Sequence, residues 1–341
     1  MRVVLLDGYT DEPACLGVPP YVSPYVRLCY GAAQAAGAEV SYLTIDQWRE
    51  SGPPAGNLLA VVRNVAVPGK YIRGMPASDR ELLAVRAGFK GPAVASLGVA
   101  PGAVREDLRD AFDLITSGDL DATVFDAVTA KTLGDRGRTE EEWDAWLKRG
   151  AQVCAQHPDI WGPLIAEVQM YRGCVRYVSG GCRFCIEPLY GRVSFRDPRS
   201  ILDEVRALAR SGVRNYRLGA QSCVYCYGSK EVGRSETPTP DPDAIGSLLR
   251  GIAEEARPEV FHLDNANPAV IAEHPEESRR VTKAIAEHCT SGNVLAFFEL
   301  PTKPEMGRDP NTPAWVQHIA FRVRDREALL EYRKHLEAHG V

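Results

Sequence analysis

The chain has 341 residues, 45% of them apolar and 25% charged, with a net charge of −5 at neutral pH. That length allows two or three domains, each with its own core, and the charge gives no bulk reason to expect nucleic acid as a partner. No run of about 18 apolar residues is available to cross a membrane, and the start, MRVVLLDGYT, lacks the long apolar stretch and cleavage site of an export signal.

Arg2–Asp7 is a short apolar run ending in Asp7-Gly8, the pattern of a first buried strand in a parallel sheet. A Pro-rich loop, Glu12–Pro24, precedes a helix over Tyr25–Ala36 that stops at Gly37. Strands follow at Glu39–Leu43, Leu59–Arg63, Ala93–Ser96 and Asp113–Thr116. Ser78 and Glu81 have the capping-box spacing and open a helix that ends near Phe89. Alternation of strand and helix makes residues 1–130 an open α/β sheet of Rossmann-like type. Ligands of such sheets sit at the carboxyl ends of the strands, where Asp7, Gly8, Asn64 and the Thr116–Asp119 turn are expected. The first strand is not followed by G-x-G-x-x-G, so a dinucleotide is not indicated.

Residues 131–164 read as a helical connector. Thr139 caps an amphipathic helix to Gln156 with Trp143, Trp146, Leu147 and Val153 on its apolar stripe, and Cys154 there reads as packing. From residue 165 the order is strand (Glu167–Tyr171), loop, helix (Ser200–Ser211), strand (Asn215–Leu218), Pro-rich loop, helix (Ala244–Ala256) and strand (Val260–Leu263). A helix at Glu276–His288 and a strand at Asn293–Phe297 complete it. This is the start of a (β/α) barrel, with about four strands by residue 297.

The chemistry concentrates in Met170–Leu189, where Cys174, Cys182 and Cys185 fall within twelve residues. Nine cysteines, an odd number, in a chain without secretory features point to a reducing cytoplasm and to metal or cluster ligation here. Three thiolates on one loop leave one metal of a cubane cluster without a protein ligand. A closed zinc site needs a fourth ligand, and Cys223 or Cys226, a second C-x-x-C, can provide one. That alternative is a zinc-stabilised binding protein without catalysis. Cys223 and Cys226 are otherwise an auxiliary ligand pair, a redox pair, or two unpaired thiols. Arg172, Arg176, Arg183 and Arg192 form either a basic patch or a set of solvated arginines beside the loop.

A strand followed by a three-cysteine loop ending C-x-aromatic-C resembles the cluster loop of the radical S-adenosylmethionine superfamily. The spacing here is C-x7-C-x2-C, expanded in its first interval from the usual C-x3-C-x2-C. The resemblance implies that Cys174, Cys182 and Cys185 hold a 4Fe–4S cluster whose unique iron chelates S-adenosylmethionine. One electron then cleaves the sulfonium to methionine and a 5′-deoxyadenosyl radical, which takes hydrogen from a substrate. It implies that Phe184 packs near adenine, that Gly219 and Gln221 meet the methionyl amine, and that Asp264 and Asn265 face ribose or substrate. It also implies an external electron donor of flavodoxin or ferredoxin type. Asn265–Pro268 has a plainer reading as the cap of the next helix. The first domain resembles the cobalamin-binding-like domains ahead of some radical enzymes. The D-x-H-x-x-G motif is missing and no histidine precedes His157, which argues against cobalamin held through a histidine. Over residues 1–297 the likeness is to Fe–S oxidoreductases with a cobalamin-binding-like or methylthiotransferase-like first domain.

Residues 298–341 change texture. Leu295–Leu300, His318–Val323 and Arg326–His339 resemble parts of a vicinal-oxygen-chelate (glyoxalase-like) module, in which Glu299 and His318 match metal ligands. The expectation is an incomplete barrel at 165–297 joined to a short βα glyoxalase-like tail, as in a truncated or chimeric frame, with a glyoxalase-type metalloenzyme as the remaining alternative.

Overall fold

A computed structural model describes residues 1–11, 21–52, 54–65, 76–98, 104–162, 164–181 and 187–290, with 330, 331 and 334 near the carboxyl end. The chain begins with β1 (Arg2–Asp11), β2 (Tyr21–Val22), α1 (Pro24–Ala35), β3 (Glu39–Thr44), α2 (Ile45–Ser51) and β4 (Leu58–Val65). Then come α3 (Asp79–Gly88), β5 (Ala93–Ser96), α4 (Glu106–Ala111), β6 (Leu114–Ile115), α5 (Leu120–Thr129) and α6 (Glu140–Gly150). The later part holds β7 (Ile165–Val168), β8 (Tyr171–Arg172), β9 (Ser194–Phe195), α7 (Pro198–Arg210) and β10 (Asn215–Leu218). It continues with α8 (Pro242–Ala256), β11 (Val260–Leu263), α9 (Pro268–Glu273) and α10 (Pro275–His288).

The first sheet is parallel, in the order β3-β1-β4-β5-β6. Its strands are apolar on both faces because helices cover both. Val4, Leu6, Leu59, Val61, Ala93 and Ala95 pack with Leu82, Val85 and Leu108 of α3 and α4. The alternate residues, among them Val3, Leu5, Ala60, Val62 and Val94, pack with Val26, Tyr30 and Val124 of α1 and α5. The capping signals at Ser78 and Thr139 both form reciprocal boxes with Glu81 and Glu142. The amphipathic helix after Thr139 is shorter than its pattern: α6 ends at Gly150 and tightens into a 3₁₀ turn over Ala151–Gln156. Cys154 on that turn is fully buried, as packing requires.

The second sheet corrects the barrel expectation. Among the described residues β11-β10-β7-β2 form an open four-stranded parallel sheet, and no barrel closes. One edge strand, β2, comes from the Pro-rich stretch read as loop. A two-residue strand carries no periodicity, and its pairing with Ile165 and Ala166 is set by tertiary contact. The expected strand at Asn293–Phe297 lies outside the described residues.

The two sheets share one core, and Met1–Ser291 forms one compact unit. Gly31 of α1 lies against the Trp146 carbonyl, and Gly150 lies against the Arg27 carbonyl. A Cβ at either position would overlap backbone, so α1 and α6 pack in contact through their glycines. Arg27, fully buried on α1, hydrogen-bonds the Glu167 carbonyl of β7 and pairs with Glu204 of α7. Glu204 also pairs with Arg196 (2.5 Å), which donates to the Gln169 carbonyl (2.9 Å) and reaches Asp144 of α6 (3.0 Å). Burial raises the Glu204 pKa, but the two guanidiniums more than offset it and the net shift is downward. Residues Gly292–Val341 form a second unit, of which little is described.

Candidate functional site

The strands β7, β10 and β11 are in register, so Val168, Leu218 and Leu263 end side by side and the loops after them meet at one edge. Strand alternation places Glu167, Arg217 and His262 on one face. The other face, with Ala166, Tyr216, Leu218 and Phe261, packs under the helices. Arg217 is buried between two carboxylates, reaching Glu167 (3.7 Å) and pairing more closely with Asp264. This charged ladder was absent from the sequence reading. Its signal was there: single charged residues inside the apolar strands IAEV and NYRL.

Gly219, Gln221, Asp264 and Asn265 all sit at this edge. The Gly219 N–H donates to the Val168 carbonyl (3.1 Å) and the Asp264 N–H to the Leu218 carbonyl (2.9 Å), extending the ladders past the strands. Gln221 is buried; its Oε1 accepts from the Met170 N–H (3.2 Å), and its Nε2 has no hydrogen-bond partner among the described residues. Asn265 takes a left-handed conformation (φ 60°), donates from its side chain to the Gln221 carbonyl (3.0 Å) and accepts the Val224 N–H (2.9 Å). The helix cap expected nearby falls on Asn267, whose side chain accepts from the Ala269 N–H (3.0 Å); Asn265 serves the loop instead.

Tyr171 of β8 ties this edge to the cysteine stretch. Its hydroxyl receives the Cys223 N–H (2.8 Å) and donates to the Cys223 carbonyl (2.6 Å). Ser222 Oγ donates to the Gly173 carbonyl (3.3 Å). Cys174 follows, half-buried, and its sulfur accepts the Arg176 N–H (3.4 Å). The ends of the loop are held as well. The Gly173 N–H donates to Glu187 (2.9 Å), and Gly173 has φ 93°, a conformation that favours glycine. Cys182, Phe184 and Cys185 lie outside the described residues, as do Glu299 and His318. Among the described residues, no group of three His, Cys, Asp or Glu side chains could hold a metal.

Arg172 is not a solvated arginine. It stacks over Tyr190 (4.0 Å to the ring centroid) and forms a two-point pair with Asp119. Arg176, the next of that group, reaches Glu236 at 3.5 Å. Asp119 also takes the Arg138 N–H and Nη2, and Arg138 pairs with Asp121. Burial raises the Asp119 pKa, but Arg138 and Arg172 hold it below the usual carboxylate range. These groups line a narrow cavity of about 40 Å³ with Val62, Ser96 and Gly118, at the carboxyl edge of the first sheet. The Thr116–Asp119 turn therefore faces the cysteine segment. At the other end of that edge, burial raises Asp7 to about 7, against hydrogen bonds from the Tyr9 N–H and the Tyr42 hydroxyl.

Comparison with known proteins agrees with parts of this picture. No protein-family model matches the chain. An uncharacterized protein of Methanocaldococcus jannaschii is 39% identical over 315 residues, 87% of this chain and 58% of its own length. An uncharacterized protein of Archaeoglobus fulgidus is 35% identical over 348 residues, 100% of this chain and 62% of its own. The chain thus spans about six tenths of the length of these relatives. The Archaeoglobus alignment runs through residues 298–341, so the tail has a counterpart there, and no comparison supports a glyoxalase fragment. A tRNA-2-methylthio-N(6)-dimethylallyladenosine synthase of Staphylococcus aureus is 28% identical over 192 residues, 54% of this chain and 33% of its own. No helix among the described residues is long and apolar enough to cross a membrane.

Proposed function

We propose that this chain is the cluster-bearing part of a radical S-adenosylmethionine enzyme, with Cys174, Cys182 and Cys185 as ligands of a 4Fe–4S cluster. The observation that carries the reading is the meeting of Cys174, Gly219, Gln221, Asp264 and Asn265 at the carboxyl edge of β7, β10 and β11. The partial likeness to a methylthio-adding tRNA synthase supports it, since the cysteine stretch resembles the same kind of enzyme.

The described residues fit such a group. Cys174 offers a soft ligand on a loop whose two ends are anchored. The Gln221 Nε2 is a buried donor without a partner among the described residues, suited to a carboxylate oxygen. When bound, the cluster supplies one electron for reductive cleavage of the sulfonium. This chain's own residues orient the reactants: Gln221 holds the backbone before the cysteine loop through Met170, and Asn265 holds Gln221 in turn. Glu167 and Asp264 pair with Arg217 and fix it beneath the edge. The electron comes from an external one-electron carrier of flavodoxin or ferredoxin type.

Anaerobic reconstitution with iron and sulfide, followed by optical and EPR spectra, tests the reading. A cluster that changes its EPR signal on addition of S-adenosylmethionine is expected. Equal iron in wild type and Cys182→Ala, or one stoichiometric zinc in place of iron, would sink it.

A further inference from the structure

The cavity at the carboxyl edge of the first sheet is walled by charged groups that satisfy one another only in part. Arg138 (3% exposed), Asp119 and Asp121 are buried beside it, and Arg172 and Tyr190 reach it from the cysteine stretch. The carboxylate oxygens are all taken. Asp119 Oδ1 accepts from Nη2 of Arg138 (2.8 Å) and Nη2 of Arg172 (2.7 Å), and Oδ2 accepts from the Arg138 N–H and from Arg172 Nη1 (both 2.9 Å). The Asp121 oxygens accept from Arg138 Nε (2.7 Å) and Nη2 (2.9 Å). The donors are not used up. Arg138 Nη1 and Arg172 Nε are buried and have no hydrogen-bond partner among the described residues. The start of α5 adds to them. Asp119 is its N-cap residue, yet the Asp119 side chain makes no cap bond, because the two guanidiniums hold it. The helix therefore begins uncapped at Leu120 and Asp121, which line the cavity. Spare guanidinium N–H groups and a helix start together select an anion.

We propose that this cavity binds the carboxylate group of a small molecule, with Arg138 Nη1 and Arg172 Nε as its donors. Size and charge separate a carboxylate from other anions. One water occupies about 10–15 Å³ of such a space, so the cavity of about 40 Å³ holds roughly three groups of that size. A carboxylate has three heavy atoms and a phosphate five. Arg138 and Arg172 stand against Asp119 and Asp121, so the walls are neutral overall. They suit a single negative charge held by spare donors, and a dianion there would be buried without its counter-charge. Ser96, at the end of β5, lines the cavity with a side chain small enough to leave this room. The proposal does not rest on the cluster, because none of these residues is one of its proposed ligands.

Saturation-transfer NMR on the full chain, iron-free, tests it with acetate as the probe and acetamide, its neutral isostere, as the control. We expect acetate to bind and acetamide to bind about tenfold less tightly, the usual worth of charge in a hydrogen bond. Ser96→Leu fills the cavity and leaves the Asp–Arg pairs in place; it should abolish acetate binding with an unchanged circular dichroism spectrum. Arg172→Met removes one donor at a side chain that is 20% exposed, and acetate should bind about tenfold more weakly to it. The second variant carries the test if the first does not fold. Equal binding of acetate and acetamide would overturn the proposal, since the cavity would then hold any small solute. So would an acetate affinity unchanged in either folded variant, which would place the ion elsewhere on the chain, or no acetate binding to wild type. Reconstituted iron content is a separate measurement, so failure here leaves the cluster reading standing, and the reverse.

Discussion

The Glu167 carboxylate occupies the space in which a side chain at Gly219 would begin, with its Cδ and Cγ 3.0 and 3.1 Å from that position. A carboxylate on β7 therefore requires a glycine after β10. Gly219→Ala must displace Glu167 from Arg217 or lift the strand end off Val168. We expect a loss of about 1–3 kcal/mol in chemical denaturation, the usual result of overpacking a filled site. On the proposed function, S-adenosylmethionine affinity, measured by equilibrium dialysis, should fall with it. Adding Glu167→Ala gives the new methyl its space, so the double variant should be less damaged than the two single losses added together.

The Asp119–Arg172 pair links the first sheet to the cysteine stretch, with 2.9 and 2.7 Å contacts. Asp119 is almost wholly buried, so Asp119→Ala leaves Arg138 with Asp121 in place of two carboxylates and takes from Arg172 its paired carboxylate at the loop. Breaking a buried pair in this way costs about 3–5 kcal/mol. The effect should be local as well as global: trypsin should cut sooner at Arg176, Arg183 and Arg192 in the variant. Unchanged cleavage there would show that Asp119 does not hold the loop.

That link illustrates what the sequence could and could not disclose. The strands Asn215–Leu218 and Val260–Leu263 were legible to the residue, since apolar runs bounded by turn residues mark them locally. The capping boxes at Ser78 and Thr139 were legible for the same reason. The helices α2 and α5 were not picked out. Leu120–Thr129 is apolar on more than one face because it lies between β4 and β5 on one side and α1 on the other, which erases the 3.6-residue signal. The role of β2 was invisible, because its partner is more than 140 residues away in the chain. Arg172 appeared in the sequence as one of four clustered arginines, and only the fold separates it from its neighbours by giving it Asp119 and Tyr190.

Glu204 offers a sharper test of how the two sheets are held. It is fully buried between Arg27 of α1 and Arg196 before α7 and pairs with both, while Arg196 also reaches Asp144. Glu204→Gln leaves two buried guanidiniums with one neutral acceptor between them. A loss of about 3–5 kcal/mol is expected from urea denaturation. Replacing Arg27, Arg196 and Glu204 together by apolar residues of similar size should destabilise much less than the single change, because it leaves no charge buried without a partner. If the single variant unfolds at the wild-type midpoint, the triad does not fasten α1 to the second sheet.

Asp7 and His157 make the stability of the chain depend on pH in opposite senses. Burial raises Asp7 from 3.8 to about 7, so between those values the folded chain keeps a proton that the unfolded chain has released. Its contribution is fully present below about 4 and is lost as pH rises to about 7, a change of about 4 kcal/mol. Burial lowers His157 from 6.5 to about 4, so its contribution is present above 6.5 and is lost as pH falls toward 4. In wild type the two slopes oppose each other between pH 4 and 6.5. Single variants separate them. Asp7→Asn stays neutral at every pH and can still accept the Tyr9 N–H, so its stability relative to wild type should climb from pH 4 to pH 7 and then level off. His157→Asn removes the opposite slope, and its relative stability should climb as pH falls from 6.5 to 4. Denaturation midpoints at half-unit pH steps measure both, and a difference between Asp7→Asn and wild type that is flat across this range would show that Asp7 folds as an ordinary carboxylate.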